Sequence, residues 1–304
     1  MSGGGFLTVG NMSIDDLVFA DGTTKWAVPG GNAIYSALGI ALWGERPRVL
    51  APRGPEYPVA ALGERIDLGQ GPMRERNLRN WGLYEEDGTR TFTFRSKTRN
   101  WLYFCPGVGD LGTESFAYCH LAPLPWSLQC DFAEALRGNG AELISVDPDD
   151  RYVSATPAAE RKRMFRSIDV LLPSRQDVDA MFPGKTPLDG LRMLRALAPD
   201  LPLIVVKCGE DGAIAHRTGA KDYIRVPSAA DACVEPTGAG DSFCGGALIG
   251  LARSGDPVDA LLRGSVSASF AVAGLGPAAL VDAAREVAER RLNSLCGRVE
   301  MHIL

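Results

Sequence analysis

Three short apolar runs in the second half of the chain, Glu142–Val146, Asp169–Leu172 and Leu203–Val206, alternate with helix-periodic segments at Ala158–Ser167 and Leu188–Ala198. The runs end at Asp147, Pro173 and Lys207. Near-continuous apolar strands separated by helices are what a parallel sheet requires, because the returning helices cover both of its faces. The chain is therefore predicted to be α/β, with a mainly parallel central sheet and helices on both faces. Its 304 residues suffice for one large domain of that kind.

The first half departs from this alternation. Phe6–Val9 reads as a strand and Asn32–Trp43 as a helix, but Asp15–Val28 and Thr89–Phe104 are strand-like and rich in Thr and aromatics. Thr91, Phe92, Thr93, Phe94 and Arg95 alternate apolar and polar, as a half-exposed strand does. We expect these segments, at about 15–28 and 89–104, to form a small β lid inserted in a single domain covering 1–304. The uncharged run Gly264–Val281 is broken by Gly and Pro and reads as a buried helix with its turn, not as a membrane span.

Ligands of open α/β sheets collect at the carboxyl ends of the strands, and the chemically suggestive segments fall there. Pro236, Thr237, Gly238, Ala239, Gly240 and Asp241 open directly onto an apolar stretch in which Phe243, Ala247, Leu248 and Leu251 recur at helical spacing. The motif thus occupies a helix N-terminus, where unpaired N–H groups and the positive end of the dipole favour an oxyanion. Gly238, Ala239 and Gly240 leave the backbone accessible. Asp241 would repel that anion unless it served as a base towards the group that attacks phosphorus. A tight turn with an acidic first helical residue gives the same pattern, so the motif needs its surroundings. Those are Asp15 after the first strand, Gly30, Gly31 and Asn32 before the first long helix, and Lys207, Gly209 and Gly212 late in the chain.

Composition excludes several alternatives. The net charge of −5 argues against nucleic acid or an anionic membrane as the main partner. Seven cysteines without a C-x-x-C pair read as reduced thiols in a cytoplasm, with no zinc site, and the first residues lack the pattern of a signal peptide.

Taken together, Gly30, Gly31 and Asn32 early and Pro236–Asp241 late resemble the two signatures of the ribokinase/PfkB family of carbohydrate kinases, and the resemblance spans about residues 6 to 280. It implies a three-layer ribokinase-like fold with a β lid, ATP as phosphate donor, Mg²⁺, and an alcohol of a sugar, polyol or nucleoside as acceptor. By position, Asp241 resembles the family's catalytic base, and the amides of Gly238, Ala239 and Gly240 its anion hole. Asp15, Gly31 and Asn32 match acceptor-binding positions. Lys207, Gly209 and Gly212 lie in the stretch that borders the nucleotide. Glu235 and Thr237 match positions that hold a monovalent cation in some members.

Three departures accompany the resemblance. The family's usual Asn-x-x-Glu reads Ser174-x-x-Asp177 here, with Asp177 as the carboxylate on the Mg²⁺ side; Glu235 stands where Asp is usual; and Gly54–Tyr57 replaces a common Gly-x-Asp. The altered Ser174 and Asp177 leave room for a rival reading, a weakly catalytic ligand-binding protein on the same scaffold. Arg90, Arg95, Lys97 and Arg99 on the lid would grip a phosphate on the acceptor or form a solvated face. Trp26, Tyr35, Phe92, Phe94, Trp101 and Tyr103 would stack on a ring of the substrate or fill the lid's own core. Asp147 is either a contact in the cleft or structural, and His120, His216 and His302 are isolated. Because lid edges can pair across subunits, a homodimer is expected.

Overall fold

A computed structural model describes residues 5–69, 71–86, 90–95, 100–153 and 155–304. The start of the chain, Thr89, Lys97, Arg99 and the side chain of Arg90 lie outside the described part. In chain order the strands are β1 (Phe6–Val9), β2 (Ser13–Val18), β3 (Thr24–Gly30), β4 (Arg48–Leu50), β5 (Leu78–Tyr84), β6 (Arg90–Phe94) and β7 (Tyr118–Leu121). They continue with β8 (Leu143–Val146), β9 (Val170–Leu171), β10 (Leu203–Lys207), β11 (Ala213–Arg217), β12 (Asp222–Val226) and β13 (Glu300–Ile303).

The larger sheet has the order β13-β12-β11-β10-β9-β8-β7-β1-β4. From β4 to β10 all pairings are parallel, and β11 to β13 add an antiparallel extension. Along β10 alternate residues enter different cores: Leu203 and Val205 join the one under helices Asn32–Ala41, Ala239–Ser254 and Pro257–Ala271, while Ile204 and Val206 join the one under Trp126–Gly138 and Pro187–Leu197. Both faces are buried, which is why the run is apolar throughout.

From β1 the chain goes to β4 on one side and later returns to β7 on the other. The reversal opens a crevice at the carboxyl ends of β1 and β7, where doubly wound sheets bind ligands. Helix Ala239–Ser254 is packed close enough to bring its start to that crevice: a Cβ on Gly245 would lie 2.0 Å from the Ser36 carbonyl oxygen. The second sheet has the order β3-β2-β5-β6, with β2 and β5 parallel. The two expected lid segments thus join the same sheet but are separated by Leu78–Tyr84, a strand not anticipated from the sequence, whereas Trp101–Phe104 forms a short 3₁₀ helix instead of a strand. The pairing register shifts between Asp15 and Leu17, where β3 carries the extra residue. There Ala27 takes a φ of 54°, and its N–H donates to Asp16 Oδ1 at 3.0 Å. No helix among the described residues is long and apolar enough to cross a membrane.

Candidate active site

A cavity of about 540 Å³ lies between the second sheet and the carboxyl ends of the main strands. Its floor is polar. Alternation along β2 sends Asp15 and Ser13 inward and Asp16 to the opposite face. Asp15 is 7% exposed; its Oδ1 accepts from Asn80 Nδ2 at 2.9 Å and its Oδ2 from Ser13 Oγ at 3.5 Å. Burial, only partly offset by these bonds, pushes the Asp15 carboxyl up to about 6. Asp16, by contrast, is held down to about 2: its own burial opposes the charge, but bonds from Arg79, Ala27 and Arg95 outweigh it.

Gly31 is required by geometry. Its φ is +112°, and a Cβ there would lie 2.4 Å from the Asn11 carbonyl oxygen. The close approach lets Asn32 begin a helix while its amide ties two loops together, Oδ1 accepting from Asn11 N at 2.8 Å and Nδ2 donating to Pro123 O at 2.7 Å. Asn32 lines the cavity, yet its first engagement is with the protein itself. Tyr57, from the segment that departs from the family pattern, donates its phenol to Gly30 O at 3.1 Å and braces the same turn.

The opposite wall is the start of helix Ala239–Ser254, with Thr237, Gly238 and Asp241 facing the cavity. Gly238 has a left-handed φ of 77°, and a Cβ on it would fall 2.2 Å from the Tyr35 ring. The first intrahelical bond is donated by Ser242 N to Gly238 O at 2.8 Å. The N–H groups of Gly240 and Asp241 therefore precede any helical acceptor, while Ala239 N makes a long bond of 3.3 Å to Pro236 O. Burial pushes the Asp241 carboxyl up to about 7, with the Asp147 charge adding to it and Lys207 opposing. An acid poised near neutrality beside free helix-terminal amides can accept a proton while the amides face an anion.

The helix start that carries Gly238 and Asp241 lies within the match to a family model, whereas Asp15, Gly31 and Asn32 precede it. The description "pfkB family carbohydrate kinase" matches residues 81–284. The chain belongs to the pfkB family of carbohydrate kinases. As a member it is a phosphotransferase with an alcohol group as acceptor. It is 25% identical over 266 residues to a cytidine kinase of Thermococcus kodakarensis, covering 84% of this chain and 91% of that one. Its fold superposes on Arabidopsis thaliana ribokinase complexed with ribose and ATP with a TM-score of 0.75, at 19% identity and with 95% and 98% of the two chains covered. Adenosine kinase of Sinorhizobium meliloti gives a TM-score of 0.75 as well, at 19% identity and with 93% and 99% covered.

Within this pfkB scaffold the residues singled out from sequence are distributed unevenly. Asp15, Gly31, Asn32, Thr237, Gly238 and Asp241 surround one cavity. Lys207 does not reach it with its ammonium: the side chain is buried and ion-paired with Asp147. Gly209 lies at the surface, where an added Cβ would meet nothing within 4 Å, whereas Gly212 sits under the Val226 carbonyl at 2.1 Å from such a Cβ and serves the turn. Asp177 caps its own helix, its Oδ2 accepting from Ser174 N at 2.7 Å and Ser174 Oγ at 2.6 Å. Glu235 is buried and accepts from Thr237 N at 2.8 Å.

The aromatic and basic candidates separate by face. Phe92, Phe94, Trp101 and Tyr35 line the cavity. Trp26 instead pairs with Trp81, at 5.6 Å between rings, on the sheet's other face, and Tyr103 packs on Phe104 at 5.1 Å. Arg95 is bonded to Asp16 and stacks 4.4 Å from the Trp81 ring centroid, so it belongs to that outer face and not to the acceptor. His120 bonds Ser145, His216 bonds Arg195 and His302 bonds Glu300.

Sequence reasoning missed Asn11, Ser13, Asn80 and Arg151. Arg151 lines the cavity, stacks 4.5 Å from the Trp101 centroid and bonds Asp149, with Nε to Oδ1 at 2.8 Å. No clear signal marked Asn80, because Leu78, Asn80 and Gly82 on one face and Arg79 and Trp81 on the other each mix apolar with polar.

Proposed function

We propose that this chain is an ATP-dependent kinase that transfers the γ-phosphoryl group to a hydroxyl of a sugar or sugar-like polyol. The observation that carries the reading is the meeting of two unlike walls in one cavity: Asp241 with the turn at Gly238 on one side, and Asp15 with Asn80 on the other. At about 540 Å³ the cavity is in the range of small-molecule sites. Asp15 accepts hydrogen bonds from vicinal hydroxyls, and Asn80 fixes its orientation. Asp241 takes the proton from the attacking hydroxyl as the new oxygen–phosphorus bond forms and the bond from phosphorus to the ADP oxygen breaks. The turn Gly238–Gly240 presents its amides to the charge on the transferring group, the N–H of Gly240 being available and that of Ala239 exchanging its long bond to Pro236 O for the anion.

ATP with Mg²⁺ supplies the phosphoryl group when bound. Open surface at Gly209 suits a nucleotide bordering the loop Lys207–Gly212. Among the described residues no group of three or more His, Cys, Asp or Glu forms a metal cage. Mg²⁺ would therefore enter with ATP, and would supply neutralisation of charge on the phosphates. Asp177, committed to Ser174, is not assigned as a direct ligand, and Glu235 is the carboxylate that would face a monovalent cation.

A nucleoside acceptor is the second reading. Phe92 and Phe94, 39% and 41% exposed, form with Trp101 an apolar wall of the kind that stacks on a base, and the Thermococcus kodakarensis relative is named for cytidine. A coupled ADP-release screen across sugars, polyols and nucleosides decides between the readings. ATP and acceptor bound tightly with no ADP released under any metal would overturn both.

A further inference from the structure

Beneath the anion-facing turn lies a buried ion pair with no part in the reading above. Lys207, at the end of β10, turns inward under the first turn of helix Ala239–Ser254, and a Cβ on Gly240 would lie 3.4 Å from its Nζ. The ammonium donates to the carboxylate of Asp147, at the end of β8, and lies 3.5 Å from Cys244 Sγ, which is itself 3.5 Å from Asp147 Oδ2. The two charged side chains are only 9% and 5% exposed. Such a pair is weak support for stability, because desolvating two ions consumes most of their attraction and an apolar pair of the same volume often serves as well. Its position at the carboxyl ends of β8 and β10, which flank β9, beneath the turn asks for another explanation.

We propose that Lys207 and Asp147 are positioning residues of the phosphoryl-transfer site, a fixed internal charge pair that sets the ionisation of Asp241 and the field at the Gly238–Gly240 turn. The inference rests on the assignment of Asp241 as base. Charges as buried as this pair are poorly screened by water and act strongly on groups beside them. Asp147 and Lys207 act on Asp241 with opposite signs, the carboxylate strengthening its hold on a proton and the ammonium weakening it. The other charges around this corner are mostly acidic. Asp177 faces the pair from helix Arg175–Met181, and Asp15 and Glu235 share with Asp241 the surroundings of Tyr35. Cys244 lies on Asp241's own helix. Arg151, on the cavity wall, is engaged by Asp149. Lys207 is thus the cation packed directly under the turn. It offsets carboxylates that would otherwise leave Asp241 protonated, and Asp147 keeps it in place and charged.

The test is the pH profile of kcat/KM in the ADP-release assay, run on Lys207→Met, Asp147→Asn, the double variant and Asp241→Asn. Lys207→Met is expected to move the acidic limb up and Asp147→Asn to move it down, each by about one pH unit. A purely structural pair would lower activity without opposite displacements. The double variant is expected to fold with a Tm near that of the parent, to keep the acceptor KM within about threefold, and to lose kcat by roughly tenfold or more. Limbs that stay in place or shift in the same direction overturn the proposal. So does a folded double variant with parental kcat, which decides the matter even if neither single variant folds. Turnover retained by Asp241→Asn would remove the base assignment itself. A dead Asp241→Asn beside parental behaviour in the pair would remove only this inference.

Discussion

Asn80 donates its Nδ2 to Asp15 Oδ1 at 2.9 Å, joining β5 to β2 at the floor of the cavity. A buried carboxylate that loses such a partner binds its proton more tightly and its ligand less well. Asn80→Ala is expected to raise the KM for the acceptor about tenfold, with kcat changed less, since a bond of this kind contributes about 1.5 kcal/mol. Steady-state kinetics with the best acceptor checks this, and an unchanged KM would dissociate Asp15 from acceptor binding.

The Asp241 carboxyl, pushed up to about 7, gives the pH dependence its sign. The base works ionised, so kcat/KM is expected to fall as pH drops through about 7, by nearly tenfold per unit on the acidic side. Asp241→Asn abolishes this limb and lowers kcat by about 10²–10⁴. A flat profile between pH 5 and 8 in the parent would argue against the assignment.

The same burial predicts a stability cost of function. Asp15, Asp177 and Asp241 all have folded-state values raised above the ordinary carboxylate. The folded state then holds protons that the unfolded chain has released, so these groups favour folding at low pH and progressively cease to as pH rises from about 4 to 7. Asp241→Asn should consequently melt a few degrees higher than the parent at pH 8 and differ little at pH 4. Thermal denaturation at the two pH values tests the sign.

Gly238 and Tyr35 set the narrowest tolerance in the site. With φ at 77° and the ring 2.2 Å from any added Cβ, Gly238→Ala must both strain the backbone and displace Tyr35. It is expected to cost about 1–3 kcal/mol of stability and to reduce kcat by roughly a hundredfold, because the turn carries the amides and Asp241 together. Denaturant melts and turnover of the same preparation separate the two effects.

The sequence made the main sheet legible because burial on both faces writes a continuous apolar run: Leu203–Val206 lies within strand Leu203–Lys207, and Ala158–Ser167 is a helix over that same range. The second sheet was harder. Leu78–Tyr84 mixes Arg, Asn, Trp and Gly because one of its faces meets the cavity and the other the Asp16–Arg79 pair, so neither apolar continuity nor clean alternation marks it. In the site, Asp241 could be read from local chemistry at a helix start, and Asp15 and Gly31 from the resemblance of their positions to the family pattern. The inward turn of Lys207 could not, since it depends on Asp147, sixty positions away in the chain. Arg151 was hidden for a similar reason: its place on the wall follows from Trp101, brought to it by the fold.

The aromatic wall carries the last prediction. Trp101 faces the cavity with Phe94 6.2 Å away between ring centroids, and Arg151 covers its ring. A base stacked on such a surface contributes about 1–3 kcal/mol as judged by alanine substitution, whereas a free pentose has no flat face of comparable area to lose. Trp101→Ala should then raise the KM for a nucleoside by tenfold or more while leaving that for a free sugar within about twofold. The wall would be assigned to the lid's own packing instead if both KM values stayed fixed and the melting temperature fell.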